Sequence, residues 1–206
     1  TSCIGCSACM VACRSENHVP VVAKKNWTTP RYSASALREL LGRGPPRVAG
    51  YINRMLLKGS CHCGAVRFSV RSETPCPYMW CYCSICRKTA GGGGYAINIM
   101  GRADSLKVKG RTRAYRAKRG GGERHFCPHC ASALWVWDRR WPEWIYPFAS
   151  AIDTKLPLPP QHQYIFLGSK ANWAQVPKQR KGDRRFREYP TEAIIDWHRK
   201  RELLTP

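Results

Sequence analysis

The chain has 206 residues, with 35 Lys and Arg against 13 Asp and Glu, a formal net charge of +22 and 43% hydrophobic residues. That length suits one domain with an appendage and a real core, and the apolar content, with eight Trp, excludes a disordered basic tail. No apolar stretch approaches the roughly 18 residues of a bilayer span, and the first residues lack the basic, apolar, small-residue order of a secretory signal, so a soluble protein of the cytoplasm is expected.

In chain order, residues 1–23 open with CIGCSACMVAC, in which Cys3, Cys6, Cys9 and Cys13 have the spacing of a bacterial ferredoxin-type run. The following SENHVPVV resembles the iron–sulfur subunits of molybdopterin oxidoreductase-type respiratory complexes. A two-cluster fold needs a second run of that kind and none follows; Arg14 also stands where Pro is usual after the fourth Cys. The run is therefore read as a truncated ferredoxin-like remnant, on which no 4Fe-4S cluster is expected. Residues 24–54 hold no Cys and one short helical candidate, Ser35–Leu41, ahead of the breaker Gly42-Arg43-Gly44-Pro45-Pro46. Residues 1–54 are thus expected to be remnant and linker rather than an independent domain, and Met55 suits the initiator of a 152-residue protein.

From Met55 the texture changes to short β-type runs separated by Gly, Pro and charged turns. In LLKGSCHCGAVRFSV (56–70), Val66, Phe68 and Val70 alternate with Arg67 and Ser69, as a half-buried strand requires. Further strands are expected at Tyr95–Met100, Ser105–Val108, Thr112–Ala117, Ala133–Trp137, Ile145–Phe148 and Gln163–Leu167. YPTEAIIDWHRKRELL closes the chain as a peripheral helix with Ile194, Ile195 and Trp197 apolar and a basic last turn. The body at 55–206 is expected to be one mainly β domain with a C-terminal helix.

Cysteine placement carries the chemistry. Beyond the first run, Cys61 and Cys63 form CxC, Cys81, Cys83 and Cys86 form CxCxxC, and Cys127 and Cys130 form CxxC; Cys76 stands alone. Neighbours two or three residues apart rarely reach disulfide geometry, so in a reducing compartment these groups point to thiolate–metal chemistry. Seven clustered thiols divide as four plus three: a closed structural zinc, and a second zinc with one position left for water or substrate. Spacing alone leaves open which groups pair and which site is the open one. Cys76, in the turn TPCPY, is read as a free thiol, and His62 as pointing away from the metal. His125 and His129 are read as bystanders of the CxxC. Trp135, Trp137, Trp141 and Trp144 are read as core and rim packing.

GSCHCGAVRFSV (59–70), CYCSICRKTAGGGGYAINI (81–99) and RHFCPHCASALWVWD (124–138), in that order, resemble the glutathione-dependent formaldehyde-activating enzyme family, which includes centromere-protein-V-like domains. The resemblance covers residues 55–206. It implies an Mss4-like fold of small twisted β-sheets stapled by zinc, a structural zinc on Cys61, Cys63, Cys127 and Cys130, and a catalytic zinc on Cys81, Cys83 and Cys86. One departure is Tyr82, where many members have His. The implied activity is that of a carbon–sulfur lyase, S-(hydroxymethyl)glutathione synthase-like, with two Zn(2+) per chain and a small-molecule thiol such as glutathione as partner. Glutathione carries two carboxylates, so Arg87 and Lys88, directly after the last thiolate, are candidates for a basic substrate wall. Gly92 and Gly93, within Gly91–Gly94, are candidates for backbone approach to a ligand.

Residues 102–124 hold nine Lys or Arg against two acids, and residues 178–188 six against two. A basic face favours non-specific nucleic-acid binding, and a zinc-stapled β module of that kind is the alternative, though no recognition helix or nucleic-acid motif accompanies the charge. Electron transfer through residues 3–13 is a third and lesser reading.

Overall fold

The computed structural model describes residues 54–90, 92–117 and 121–205. The cysteine run Cys3, Cys6, Cys9, Cys13 and the helix expected at Ser35–Leu41 lie outside the described residues.

Twelve short strands make three sheets among the described residues. The first is the hairpin β1 (Met55–Ser60) and β2 (Arg67–Ser72) with β6 (Lys107–Lys109) along the second edge of β2, all antiparallel. Alternation decides its faces: Leu57, Phe68 and Val70 are buried, while Lys58, Arg67 and Arg71 face water. Gly59 is fixed by close approach, since a Cβ there would stand 2.3 Å from the Ala151 carbonyl oxygen and 2.4 Å from the Phe68 ring. Segment 149–152, a single 3-10 turn and its exit, therefore lies directly on the hairpin and bridges Gly59 through Ile152.

The second sheet is antiparallel throughout, in the order β5 (Gly101–Arg102), β10 (Trp144–Pro147), β9 (Ala133–Trp137), β8 (Glu123–Phe126), β7 (Arg113–Arg116). Its inner residues Leu134, Trp135 and Ile145 join Leu57, Val66, Phe68, Val70 and Ile99 in the largest core, with Phe68 edge-on to Trp135 at 5.1 Å. Each such side chain contributes about 1.5–3 kcal/mol by leaving water, before the entropy of ordering it.

The third sheet is mixed: β12 (Arg184–Arg185), β11 (Gln163–Ile165), β3 (Met79–Cys81), β4 (Ala96–Ile97). β11 runs parallel to both β3 and β12. Parallel neighbours need a long crossover, and the chain between β3 and β11 builds the whole second sheet on the way. β3 delivers Cys81 to its end and leads into helix α1 (Ser84–Thr89). Helix α2 (Ile194–Arg199) closes the chain against the turn that precedes β3.

The mainly β body and the C-terminal helix are as expected, but several bounds differ. The strand expected at Tyr95–Met100 keeps ladder pairing only at Ala96–Ile97. Its remainder turns from β3 toward the second sheet, leaving isolated bridges at Asn98 and Met100. Gln163–Leu167 stops at Ile165 because Phe166 adopts φ 58° and opens a 3-10 turn at Leu167–Ser169. The expected helix shortens to six residues and is not peripheral. Trp197 and His198 are fully buried, and the Trp197 ring stacks on Tyr78 at 3.7 Å.

Candidate metal centre

The first cysteine group is assembled by two hairpin turns far apart in sequence. Cys61 leaves β1 and starts a tight turn in which its N–H donates to Val66 O at 3.0 Å and its carbonyl accepts from Gly64 N at 3.0 Å. Cys127 and Cys130 occupy the β8–β9 turn, closed by Ala131 N to Cys127 O at 2.9 Å with Ala131 at φ 57°. The turns meet through Cys63 and Cys127, whose Sγ atoms are 3.8 Å apart, and Cys61 and Cys63 Sγ are 3.5 Å apart. All four Sγ atoms lie within 4.8 Å of one another. A tetrahedral ion with metal–sulfur bonds of about 2.3 Å requires sulfur–sulfur edges of about 3.8 Å, so the group has the size of a four-thiolate zinc site.

Local donors prepare these thiols for ionisation. Val66 N donates to Cys61 Sγ at 3.2 Å, and Ser132 Oγ stands 3.2 Å from Cys130 Sγ. The Ser132 hydroxyl, helped by nearby backbone N–H groups, holds the Cys130 thiol down to about 5. Cys63, although the Ala65 N–H favours its thiolate, is pushed up to about 12 by its contact with Cys61. A bound cation would favour the thiolate form of the whole set and release the protons the thiols still hold.

The second group is local. Cys81 ends β3, Cys83 is the N-cap of α1, and Cys86 lies one turn into that helix; their Sγ atoms also lie within 4.8 Å of one another. Cys83 Sγ accepts from Cys86 N at 3.3 Å, so the helix cap is itself one of the three converging sulfurs. Thiol hydrogen bonds from Cys81 and Cys86 hold Cys83 down to about 2. Cys86 is favoured as a thiolate by Cys81 but pushed up to about 11 by Cys83 and burial. Cys81 and Cys86 are buried and Cys83 is half-buried, so the group opens on the Cys83 side. Among the described residues no fourth Cys, His, Asp or Glu joins it. Phe148, Ile165, Val136, Phe166 and Phe186 pack around it.

A cleft of about 680 Å³ is lined by Cys61 of the four-thiol group and by none of Cys81, Cys83 and Cys86. Cys61 and His62 line one side, and Arg87, Lys88, Ala90 and Gly92, from the end of α1 onward, line the other. Ala90 and Ala133 belong both to the cleft and to the packing around Cys81 and Cys86. Arg87 Nε is buried without a hydrogen-bond partner among the described residues.

Of the residues singled out in the sequence, the seven clustered cysteines fall into these two groups, and Arg87, Lys88 and Gly92 line the cleft. Gly93 is exposed beside the Tyr95 ring and is not part of the cleft lining. The last glycine of that run serves packing: Gly94 has φ +86°, and a Cβ there would meet Ala174 at 2.6 Å and Trp173 at 3.1 Å. Cys76 is buried and belongs to neither group, and all eight described cysteines are free. His62, His125 and His129 join neither group; His125 stacks on Trp135 at 5.2 Å. Trp135 is core, Trp137 packs against it, and Trp144 lies under the Arg102 guanidinium at 5.1 Å. Tyr82 turns from the thiols into an aromatic pocket with Tyr164 and Ala174, its hydroxyl donating to Gln175 O at 3.1 Å.

Two residues near the three-thiol group went unnoticed in the sequence. Arg124 pairs across the sheet with Val136, whose side chain packs at that group, and its charge favours the Cys86 thiolate; its Nε is buried and unpartnered among the described residues. Tyr189, exposed over 73% of its surface, stands edge-on to Phe166 at 4.5 Å, a residue of the packing around that group. Arg124 opens the third cysteine motif and was legible in principle; Tyr189 carries no motif.

Residues 56–169 match the family described as glutathione-dependent formaldehyde-activating enzyme. A Halomonas elongata protein provisionally named for that family is 58% identical over 150 residues, covering 70% of this chain and 95% of the relative. A crystal structure of a Rhodobacter sphaeroides protein is 28% identical, covers 48% of this chain and 91% of that one, and aligns with a TM-score of 0.41.

Proposed function

The chain belongs to the glutathione-dependent formaldehyde-activating enzyme family, and on that premise we propose that residues 55–206 catalyse the reversible addition of the glutathione thiol to formaldehyde. Read from the adduct, this is a carbon–sulfur lyase reaction. The observation that carries the proposal is a group of three converging thiols with no fourth protein donor among the described residues, followed directly by Arg87 and Lys88, which line a cleft together with Asp153.

Cys81, Cys83 and Cys86 would hold the catalytic zinc, and Cys61, Cys63, Cys127 and Cys130 the structural one. When bound at the three-thiol site, zinc supplies Lewis acidity and lowers the pKa of a thiol that enters the free position. The chain's own residues do the rest. Arg87 and Lys88 receive the substrate carboxylates: the buried, unpartnered Arg87 Nε lacks an acceptor, a deficit of about 1–3 kcal/mol that an anionic ligand removes. The Gly92 backbone leaves room beside them, since a Cβ there would meet nothing within 4 Å. Phe166, Phe186 and Val136 keep bulk water from the thiols. In the synthetic direction a bond forms between the glutathione sulfur and the formaldehyde carbon. The carbonyl π pair moves to oxygen, and the proton lost by the thiol ends on that oxygen. No oxidant or reductant is consumed. Free thiols and a glutathione substrate both suit the cytoplasm. Among the described residues no helix is long and apolar enough to cross a membrane.

The test is exchange NMR with ¹³C-formaldehyde and glutathione, since the uncatalysed reaction provides its own baseline. Zinc-loaded full-length protein is expected to accelerate exchange between formaldehyde and the thiol adduct, and Cys83→Ser to remove the acceleration together with one zinc. A zinc-loaded wild type that leaves the exchange rate at its buffer value would overturn the proposal.

A further inference from the structure

The outer face of the β1–β2–β6 sheet carries five cations and no anion. The registers set Arg71 opposite Leu56, Ser69 between Lys58 and Lys107, and Arg67 between Ser60 and Lys109. Residues directly opposite one another in a ladder share a face, so Lys58, Arg67, Arg71, Lys107 and Lys109 stand together, all exposed, opposite the buried Leu57, Phe68 and Val70. Among the described residues none of the five joins an ion pair. The acids nearest in sequence are taken: Glu73 pairs with Arg54 at 2.8 Å and Asp104 with Arg102 at 3.7 Å.

We propose that this face docks the phosphate backbone of double-stranded nucleic acid, without reading its sequence. The dimensions favour a polyanion over a small ligand. Strands about 4.8 Å apart and residues two apart at about 6.8 Å spread the five charges over roughly 10 by 14 Å. A dicarboxylate engages two of them at once, whereas a duplex with one charge per about 1.7 Å presents on the order of six to eight phosphates over that length. Single-stranded ligands are held largely by base stacking on aromatic side chains, and this face has none. Membrane-surface elements pair their cations with a broad apolar side, and here Leu56 is the one apolar residue among the exposed positions of β1 and β2. Contacts of long Lys and Arg side chains to phosphate set position and affinity but carry no base information.

The experiment is fluorescence anisotropy of a labelled 20-base-pair duplex of mixed sequence, titrated with the full chain in 50–200 mM KCl. Five phosphate contacts give a slope of log K on log salt of about −4.5, hence about 500-fold weaker binding at 200 than at 50 mM. The variant K58Q/R67Q/K107Q/K109Q, shown to keep its metal content and melting temperature, is expected to lower the magnitude of that slope by between about three and four. K178Q/K181Q/R184Q/R187Q, which removes the same charge from the second basic run, is expected to change it by less than about one. Equal losses in the two variants would overturn the proposal, because total charge rather than this face would then be responsible. Absence of binding at 50 mM KCl would overturn it as well. Phosphatidylserine vesicles or polyglutamate that displace the duplex at equal charge concentration, in a manner lost in the first variant, would reassign the face to a membrane or an acidic protein.

Discussion

Arg87 and His198 each place a buried side-chain nitrogen at the centre of a prediction. If Arg87 holds a substrate carboxylate, Arg87→Ala forfeits a charge-assisted hydrogen bond of about 1.5–3 kcal/mol and raises KM for glutathione between about 10- and 150-fold. Zinc content and melting temperature are expected to stay at wild-type values, because its buried Nε holds no hydrogen bond among the described residues whose loss would disturb the fold. An unchanged KM would remove Arg87 from the substrate wall. His198 acts on stability instead. Its Nδ1–H donates to Ile194 O at 2.8 Å and its Nε2 accepts from Cys76 N at 3.3 Å, so the neutral ring fills both bonds. Burial, aided by the nearby Arg201 charge, lowers its pKa to about 4 from an ordinary 6.5. Between those values the unfolded chain binds a proton that the folded chain refuses, so stability falls as pH drops below about 6.5 and the loss is complete near pH 4. At pH 5 it amounts to about 2 kcal/mol relative to pH 7. Urea unfolding of wild type and His198→Gln at both pH values isolates this contribution from acid release of the metals, which both proteins share. Parallel pH profiles would assign the acid sensitivity elsewhere.

At the scale of elements, the two cysteine groups differ in what they hold together. The four-thiol group ties the β1–β2 turn to the β8–β9 turn, so it joins the first sheet to the second across more than sixty residues of sequence. Structural zinc in small domains contributes about 10–16 kcal/mol, comparable with the whole stability of a domain at about 5–15 kcal/mol. Cys127→Ser, at a fully buried position, is therefore expected to leave the body unfolded at room temperature. Cys83→Ser removes one thiol from a group confined to the end of β3 and the first turn of α1. Ser is itself a good N-cap, so most of the fold and circular dichroism should persist while one zinc is lost. Equal melting losses in the two variants would contradict this division of labour. Trp197→Ala, which empties the stack on Tyr78, is expected to cost about 3–5 kcal/mol in urea unfolding, against nearly nothing for a peripheral helix.

The same contrast explains what the sequence revealed. Cysteine spacing is a covalent-scale signal, so the clusters and their division into four and three could be read directly, whereas which clusters pair was implied only by the family resemblance; strands with one wet face, such as β2, announced themselves by alternation. Strands of two or three residues, such as β3, β5 and β12, are too short to carry a period of two; neighbouring strands and the cysteine turns define them. The overlong C-terminal helix has the same origin, because helical propensity in YPTEAIIDWHRKRELL said nothing of where Tyr78 and Cys76 would cover it. Arg124 and Tyr189 come near the three-thiol group only through tertiary neighbours, Val136 and Phe166.

For the whole molecule, metal stoichiometry separates the readings more sharply than activity does. The division of seven thiols into four and three predicts two zinc ions per chain, whichever reaction the open site performs. Metal content by mass spectrometry, on protein prepared without oxygen, is best compared between the full chain and a version starting at Met55. Two zinc and no iron in both would agree with a metal-binding body at 55–206 and with no cluster on Cys3, Cys6, Cys9 and Cys13. Four iron atoms in the full chain alone would make the N-terminal run a working electron carrier, and the zinc-dependent chemistry would then have to be coupled to a redox partner. One zinc in both versions would mean that the three-thiol group does not hold a metal by itself. The open site would then need its fourth donor from substrate, and adding glutathione should raise the count to two.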